Sequence, residues 1–185
     1  MNYYVIRVAP RQEDKFIHLT KILFQGRSEE LIFLRKKIIL FKQGKKTEVE
    51  SPLFPGYVFM QADHLDLDFY WSLKKTGGFL TFIKAQNKIQ VLTDKDKSVL
   101  SHFLNFGEVA GKSLVTFNQE NRIEVLSGPM KGLEGRIVKV DRRKRRARIL
   151  LDFQDASFFV DLSFEDMTMA PEAKKSEEPP IEKTS

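Results

Sequence analysis

Aromatic and β-branched residues from Tyr3 to Val8 are interrupted only by Arg7, which predicts a strand. Pro10 stands where a helix would begin, Glu13 and Asp14 place negative charge in its first turn, and Phe16, Leu19, Ile22 and Leu23 follow at helical spacing up to Gly26. Leu31 to Leu34 predicts a second strand. From Arg35 to Val49, two β-prone arms flank Gln43-Gly44-Lys45, the pattern of a lysine-rich hairpin. Then comes Ser51-Pro52-Leu53-Phe54-Pro55-Gly56-Tyr57-Val58-Phe59-Met60, where two prolines and a glycine constrain entry to an apolar strand. Leu67 to Lys75 predicts a short helix with Leu67, Tyr70, Trp71 and Lys74 at helical spacing, stopped by Gly77-Gly78. A strand over Phe79 to Ile83 follows. A third helix is capped by Thr93, made acidic at its start by Asp94 and Asp96, and striped by Val99, Leu100, Phe103 and Leu104.

Gly107 to Glu120 reads as a junction, with Leu114 to Phe117 able to add a small strand. Beyond it, Ile123 with Val125 and Val138 with Val140 form two alternating runs, separated by Gly128-Pro129, Gly132 and Gly135. Ala147, Ile149, Leu151 and Phe153 share one face of a further strand, leaving Arg146 and Arg148 on the other. Arg142, Arg143, Lys144 and Arg145 therefore occupy a hairpin turn, and the six cations form one corner of a small twisted sheet. From Pro171 onward Pro, Glu, Lys and Ser dominate, and disorder is expected.

The run from Arg122 to about Asp141 resembles the KOW motif of NusG-family transcription factors, and the similarity extends more loosely to about Met169. Phe54-Pro55-Gly56-Tyr57 resembles the signature of that family's amino-terminal (NGN) domain, and the opening Tyr-Tyr-Val-Ile strand stands where the family has one. The resemblance implies an α+β fold: an NGN-like domain of mixed sheet and helices at 1–106, a linker at 107–118, a small SH3-like KOW β-barrel at 119–170, and a tail at 171–185. It further implies that Phe54, Pro55 and Tyr57 help form the depression that receives the clamp helices of RNA polymerase, with Val58 and Met60 in the core. Phe153 falls where the family presents an aromatic to Rho or a ribosomal protein, although Asp152 and Gln154-Asp155 depart from the usual flanks. The Asp-Arg-Arg-Lys-Arg-Arg-Ala run is more similar to the LoaP branch of specialised paralogs, whose KOW domain recognises a nascent RNA hairpin. Arg11, Lys74 and Lys75 lie in the region where family members approach the non-template DNA strand.

Charge sharpens this picture. Of 185 residues, 31 are Lys or Arg against 25 acids, giving +6 and a pI near 9.4, which suits a polyanionic partner. Guanidinium groups packed together repel, so a cluster at Arg142, Arg143, Lys144, Arg145, Arg146 and Arg148 points to a nucleic acid; Asp141, Asp152 and Asp155 offer the alternative of a self-paired turn. With no cysteine and three scattered histidines, neither disulfide, zinc finger nor thiol chemistry is available. No phosphate-binding glycine loop precedes a helix, and no serine sits in a nucleophile elbow. A non-enzyme without metal or cofactor is expected. The amino terminus lacks a signal-peptide pattern and no apolar run is long enough to span a bilayer, so a cytoplasmic monomer away from membranes is expected. Three readings stand: an operon-specific antitermination factor that binds polymerase and RNA, a general factor coupling polymerase to Rho or the ribosome, and a ribosome-associated structural protein.

Overall fold

The computed structural model describes residues 1–25, 29–42, 45–153 and 156–169 of an α+β chain. In chain order the first domain runs β1 (Asn2–Val8), α1 (Glu13–Leu23), β2 (Glu30–Ile32), β3 (Arg35–Lys42), β4 (Lys45–Pro52), β5 (Tyr57–Ala62), α2 (Leu67–Lys75), β6 (Phe79–Phe82), β7 (Lys84–Ala85), β8 (Lys88–Ile89), α3 (Asp94–Leu104) and β9 (Val109–Ala110). Its main sheet has the order β2-β5-β1-β6, antiparallel at every pairing; the parallel pairing of this domain is between β3 and β9.

The apolar runs in β1 and β5 lack strict alternation because both faces of this sheet are covered. Tyr4, Ile6, Val8, Val58 and Met60 pack with Phe16 of α1 and with Phe69 and Leu73 of α2. Val5 and Phe59, opposite one another in the ladder, face the other way toward Val99, Leu100 and Phe103 of α3. A strand buried on both sides reads as a continuous hydrophobic run.

Helix boundaries follow the caps. Thr93 caps α3 by accepting from the Asp96 amide at 3.2 Å, and Asp66 caps α2 through Phe69 N at 3.3 Å. The buried face of α2 differs from the sequence expectation. Phe69 and Leu73 are inside, whereas Leu67 and Trp71 are exposed and Lys74 lies 4.6 Å over the Trp71 ring. A cation over an indole gives that outer stripe an apolar spacing without burial. Likewise Ile22 and Leu23 of α1 are exposed, and Phe16 with Thr20 forms its buried side. Gly26, expected to stop α1, lies outside the described residues, as do Gln43 and Gly44 of the hairpin turn and the tail from 170 onward.

The second domain is a five-stranded sheet of β10 (Ser113–Phe117), β11 (Ile123–Ser127), β12 (Ile137–Asp141), β13 (Arg146–Phe153) and β14 (Ala156–Asp166), in the order β11-β10-β14-β13-β12. Residues 107–118, expected as a linker, contain β9 and β10. The first pairs with the hairpin, and the second pairs with both β11 and β14. Along β13 the predicted alternation holds: Ala147, Ile149, Leu151 and Phe153 are buried. In β12 a register shift between Ile137 and Lys139 breaks the expected alternation. The extra residue turns Val138 out to solvent and leaves Ile137 and Val140 to pack on the core.

Gly128 explains the rigidity of the glycine-punctuated turn. Its φ is +92°, and a Cβ there would lie 2.6 Å from Ser113 Cα and 2.8 Å from Lys112 O. The same Ser113 accepts from Met130 N through Oγ at 2.9 Å, which locks the turn onto β10.

Candidate functional site

The Phe54-Pro55-Gly56-Tyr57 turn is held from two directions. Gly56 O accepts from Val8 N at 2.9 Å, and Gly56 N donates to Glu13 Oε1 at 2.8 Å. Glu13 is itself buried, so its carboxylate fixes this loop to α1 as well as meeting the helix dipole. Gly56 adopts φ +80°, which turns Pro55 outward and leaves Tyr57 half-buried.

Phe54 is 2 % exposed, because the second domain covers it. Its ring stacks on Phe153 of β13, with centroids 5.4 Å apart and planes inclined by 24°. It meets Phe158 of β14 edge-on at 5.9 Å, and Phe59 and Phe103 of its own domain at 5.9 and 6.3 Å. Tyr57 also meets Phe158, at 5.5 Å. Residues of both domains therefore belong to one hydrophobic cluster with Phe54 at its centre.

Polar contacts border this aromatic seam. His102 Nε2 donates to Pro129 O at 2.8 Å, joining α3 to the glycine-rich turn. Ile39 N donates to Ser163 Oγ at 3.4 Å, and Arg146 donates back to Ile39 O, so strand β3 lies against β13 and β14. Lys112 pairs with Glu48, and Lys95 lies 4.0 Å from Asp152. The lysine-rich hairpin is thus docked on the second domain along β3. Sequence reasoning missed Glu13, Lys36, Ile39, His102 and Ser163, because each contact partner is more than 25 residues away.

At the cationic corner, residues 142–145 form the expected turn, with Arg145 in the left-handed region at φ +52°. Several of its charges are occupied. Arg142 pairs with Asp166 at 3.1 Å and lies 3.9 Å over Phe117. Arg148 grips both carboxylate oxygens of Asp161, at 2.7 and 3.0 Å. That grip holds the Asp161 carboxyl below its ordinary range and raises the guanidinium. Lys144 lies 4.0 Å from Asp141. Arg143 and Arg145 make no ion pair among the described residues.

Lys36 projects from β3 to this corner and is only 8 % exposed. Burial pushes its amine down from 10.5 to about 8; Asp161 opposes that shift, while Arg146 and Arg148 add to it. Arg146 Nε is buried without a hydrogen-bond partner among the described residues. Elsewhere, Lys74 covers Trp71 and Tyr70, Lys75 is exposed beside it, and Arg11 is exposed at φ +66°.

Residues 1–101 match the family profile described as transcription termination factor nusG, and residues 121–152 match that of the KOW motif. The chain belongs to the NusG family. It is 27% identical over 183 residues to the transcription termination/antitermination protein NusG of Thermus thermophilus, covering 92% of this chain and 99% of that one. The NusG proteins of Borreliella burgdorferi and Bacillus subtilis are 23% and 24% identical over 175 residues, each covering 88% of this chain and 95% of theirs. A solved structure described as "Domain interaction in Thermotoga maritima NusG" shares the fold, with a TM-score of 0.54 and 16% identity across 88% of this chain and 93% of that one. No described helix of this NusG-family chain is long and apolar enough to cross a membrane.

Proposed function

We propose that this chain is a cytoplasmic, non-enzymatic transcription elongation factor of the antitermination type, a monomer that needs no metal or cofactor. Its NGN domain would grip the clamp helices of RNA polymerase through Phe54, Pro55 and Tyr57, and its KOW corner would hold nascent RNA. The observation that carries the first half is that Phe54 is buried against an apolar side chain of the second domain, Phe153. A polymerase helix using Phe54 as its anchor must displace that side chain, so polymerase binding and domain pairing exclude one another. The closed arrangement is then a resting state, and opening is part of the binding reaction.

Arg143 and Arg145 support the second half. Among the described residues they have no ion pair to give up, which suits both to phosphate contacts or base stacking. Arg11, Lys74 and Lys75 lie on exposed surface of the NGN domain and are proposed contacts for the non-template strand.

The second reading, a general factor coupling to Rho or the ribosome, makes Phe153 a protein contact. In the closed state Phe153 is 1 % exposed, so such a partner also requires opening. Co-precipitation of the full chain with RNA polymerase, then with an RNA hairpin, separates the readings. Phe54→Ala should abolish the polymerase signal and R143E/R145E the RNA signal. Co-sedimentation with ribosomal particles in the absence of polymerase, unchanged by Phe54→Ala, would favour the structural-protein reading.

A further inference from the structure

The cleft beside the domain seam is a candidate site of its own. It has a volume of about 110 Å³ and opens over the outer face of β12, β13 and β14, between Lys139, Lys144, Arg146, Arg148 and Asp161. Lys139 faces Arg148 across one strand pair and Arg148 faces Asp161 across the next, so these side chains form a ladder rather than a chance grouping. Lys36 of the first domain is buried next to this lining rather than part of it: its strand β3 accepts from Arg146 at Ile39 O, and Asp161, Arg146 and Arg148 all act on its charge. Asp141 also borders the cleft, on the Lys144 side. Four cations therefore line the cleft with two carboxylates, and Asp161 is already committed to Arg148 in bidentate fashion. Behind the cleft, Arg146 Nε is buried and has no acceptor among the described residues.

Like charges held this close in a half-enclosed cleft repel strongly, and an unsatisfied buried donor is costly. One tetrahedral anion in the cleft would relieve the repulsion. We infer that this cleft is a phosphate-binding site shared by the two domains, in which Lys36 of the first stands behind a cradle formed by Lys139, Lys144, Arg146 and Arg148 of the second. This inference rests on the nucleic-acid reading of the corner and deepens it. The occupant is a phosphate group, either within a nucleic-acid backbone or free in solution. Lys36 lies beside the site only while the domains are paired, so phosphate binding and closure reinforce one another; by reciprocity, opening weakens the hold on that phosphate.

The test uses the full chain, with the affinity of an RNA hairpin oligonucleotide measured by fluorescence anisotropy from 0.05 to 0.3 M salt. Binding of inorganic phosphate is followed in parallel by NMR titration. Lys36→Met keeps the length of the side chain and removes its charge. Loss of one cation acting on the phosphate lowers affinity about 5-fold at 0.1 M salt and makes the log–log salt slope shallower by about 0.7 to 0.9. A loss of that size in the RNA arm identifies a backbone phosphodiester; a loss confined to inorganic phosphate identifies a free anion. If Lys36→Met leaves both arms unchanged, the shared site is wrong. The Phe153→Ala background checks the sharing itself: the effect of Lys36→Met should shrink there, and an equal loss in both backgrounds would overturn the inference. R143E/R145E serves as the reference. If it leaves RNA binding intact, the corner reading fails; if it abolishes binding while Lys36→Met does nothing, only the shared site fails.

Discussion

If domain pairing masks a polymerase site at Phe54, replacing Phe153 by alanine should raise the affinity of this chain for RNA polymerase. Phe153 is 1 % exposed, with its ring against Phe54 at 5.4 Å and Phe59 at 5.6 Å, both in the first domain. Burying a phenylalanine contributes about 1.5–3 kcal/mol, and each aromatic pair adds about 0.5–1.5 kcal/mol. Part of this belongs to the second domain's own core, so a loss of about 3 kcal/mol to domain pairing is a reasonable working figure. At about 1.4 kcal/mol per factor of ten, the open population rises on the order of 100-fold. While the closed form dominates, the apparent dissociation constant for polymerase should fall by up to the same factor.

The assay is equilibrium binding of labelled full chain to core RNA polymerase, with amide NMR spectra confirming that both domains remain folded. Phe158→Ala should act in the same direction but less, because Phe158 is only half-buried and meets Phe54 edge-on. Phe54→Ala is the opposing control: it loosens the same seam yet removes the anchor, so affinity must drop. If Phe153→Ala and Phe158→Ala are folded and bind polymerase no better than the parent chain, the closed state does not restrain binding.

Domain pairing should strengthen as pH rises. Lys36 has a pKa of about 8 when paired and about 10.5 when exposed, so between those values the open form binds more protons and closure is favoured by alkali. The full effect, reached near pH 10.5, is about 3 kcal/mol at 1.36 kcal/mol per unit; relaxation-dispersion NMR should find fewer open molecules at pH 9.5 than at pH 7, and Lys36→Met should abolish the trend. Gly128→Ala should destabilise the second domain by about 3 kcal/mol or more, because a left-handed φ and a 2.6 Å approach to Ser113 Cα act together; a melting temperature within a degree of the parent would contradict this. R143E/R145E should abolish RNA binding without lowering the melting temperature, since neither side chain has an ion pair to lose among the described residues. Glu13→Ala leaves the Gly56 amide without its acceptor, and should cost about 1–3 kcal/mol in urea unfolding while weakening polymerase binding.

Local pattern revealed most of the elements and little of how they meet. The α2 and α3 ranges, the turn at 142–145 and the alternation along β13 were legible because each depends on neighbours within a few residues. The bulge at Ile137 was not, since its extra residue changes the register without altering composition. Phe153 shows the deeper limit. An inward-facing aromatic on β13 is expected whether it fills its own barrel or inserts beside Phe54, and the two cases share one sequence pattern. Lys36 lies in an Arg-Lys-Lys run that reads as solvated, and burial of its amine follows from a strand 125 residues downstream. Long-range desolvation leaves no local mark.

The seam combines two kinds of contact with opposite signs. Its centre is an aromatic cluster in which every ring has a partner, the arrangement that stabilises permanent cores. Its edge is poorly matched: Lys36 is desolvated beside two arginines, and Arg146 Nε is buried with no acceptor among the described residues. An interface selected only for stability would replace that edge by apolar residues, which commonly gains about 1–4 kcal/mol. Retaining the charges keeps the closed state from becoming irreversible and makes its strength depend on whatever anion occupies the cleft. On the proposed reading a polymerase helix would compete for the aromatic centre, while a phosphate would act on the cationic edge. Two ligands with separate footholds on one seam can then be read against each other, which a seam of aromatics alone would not allow.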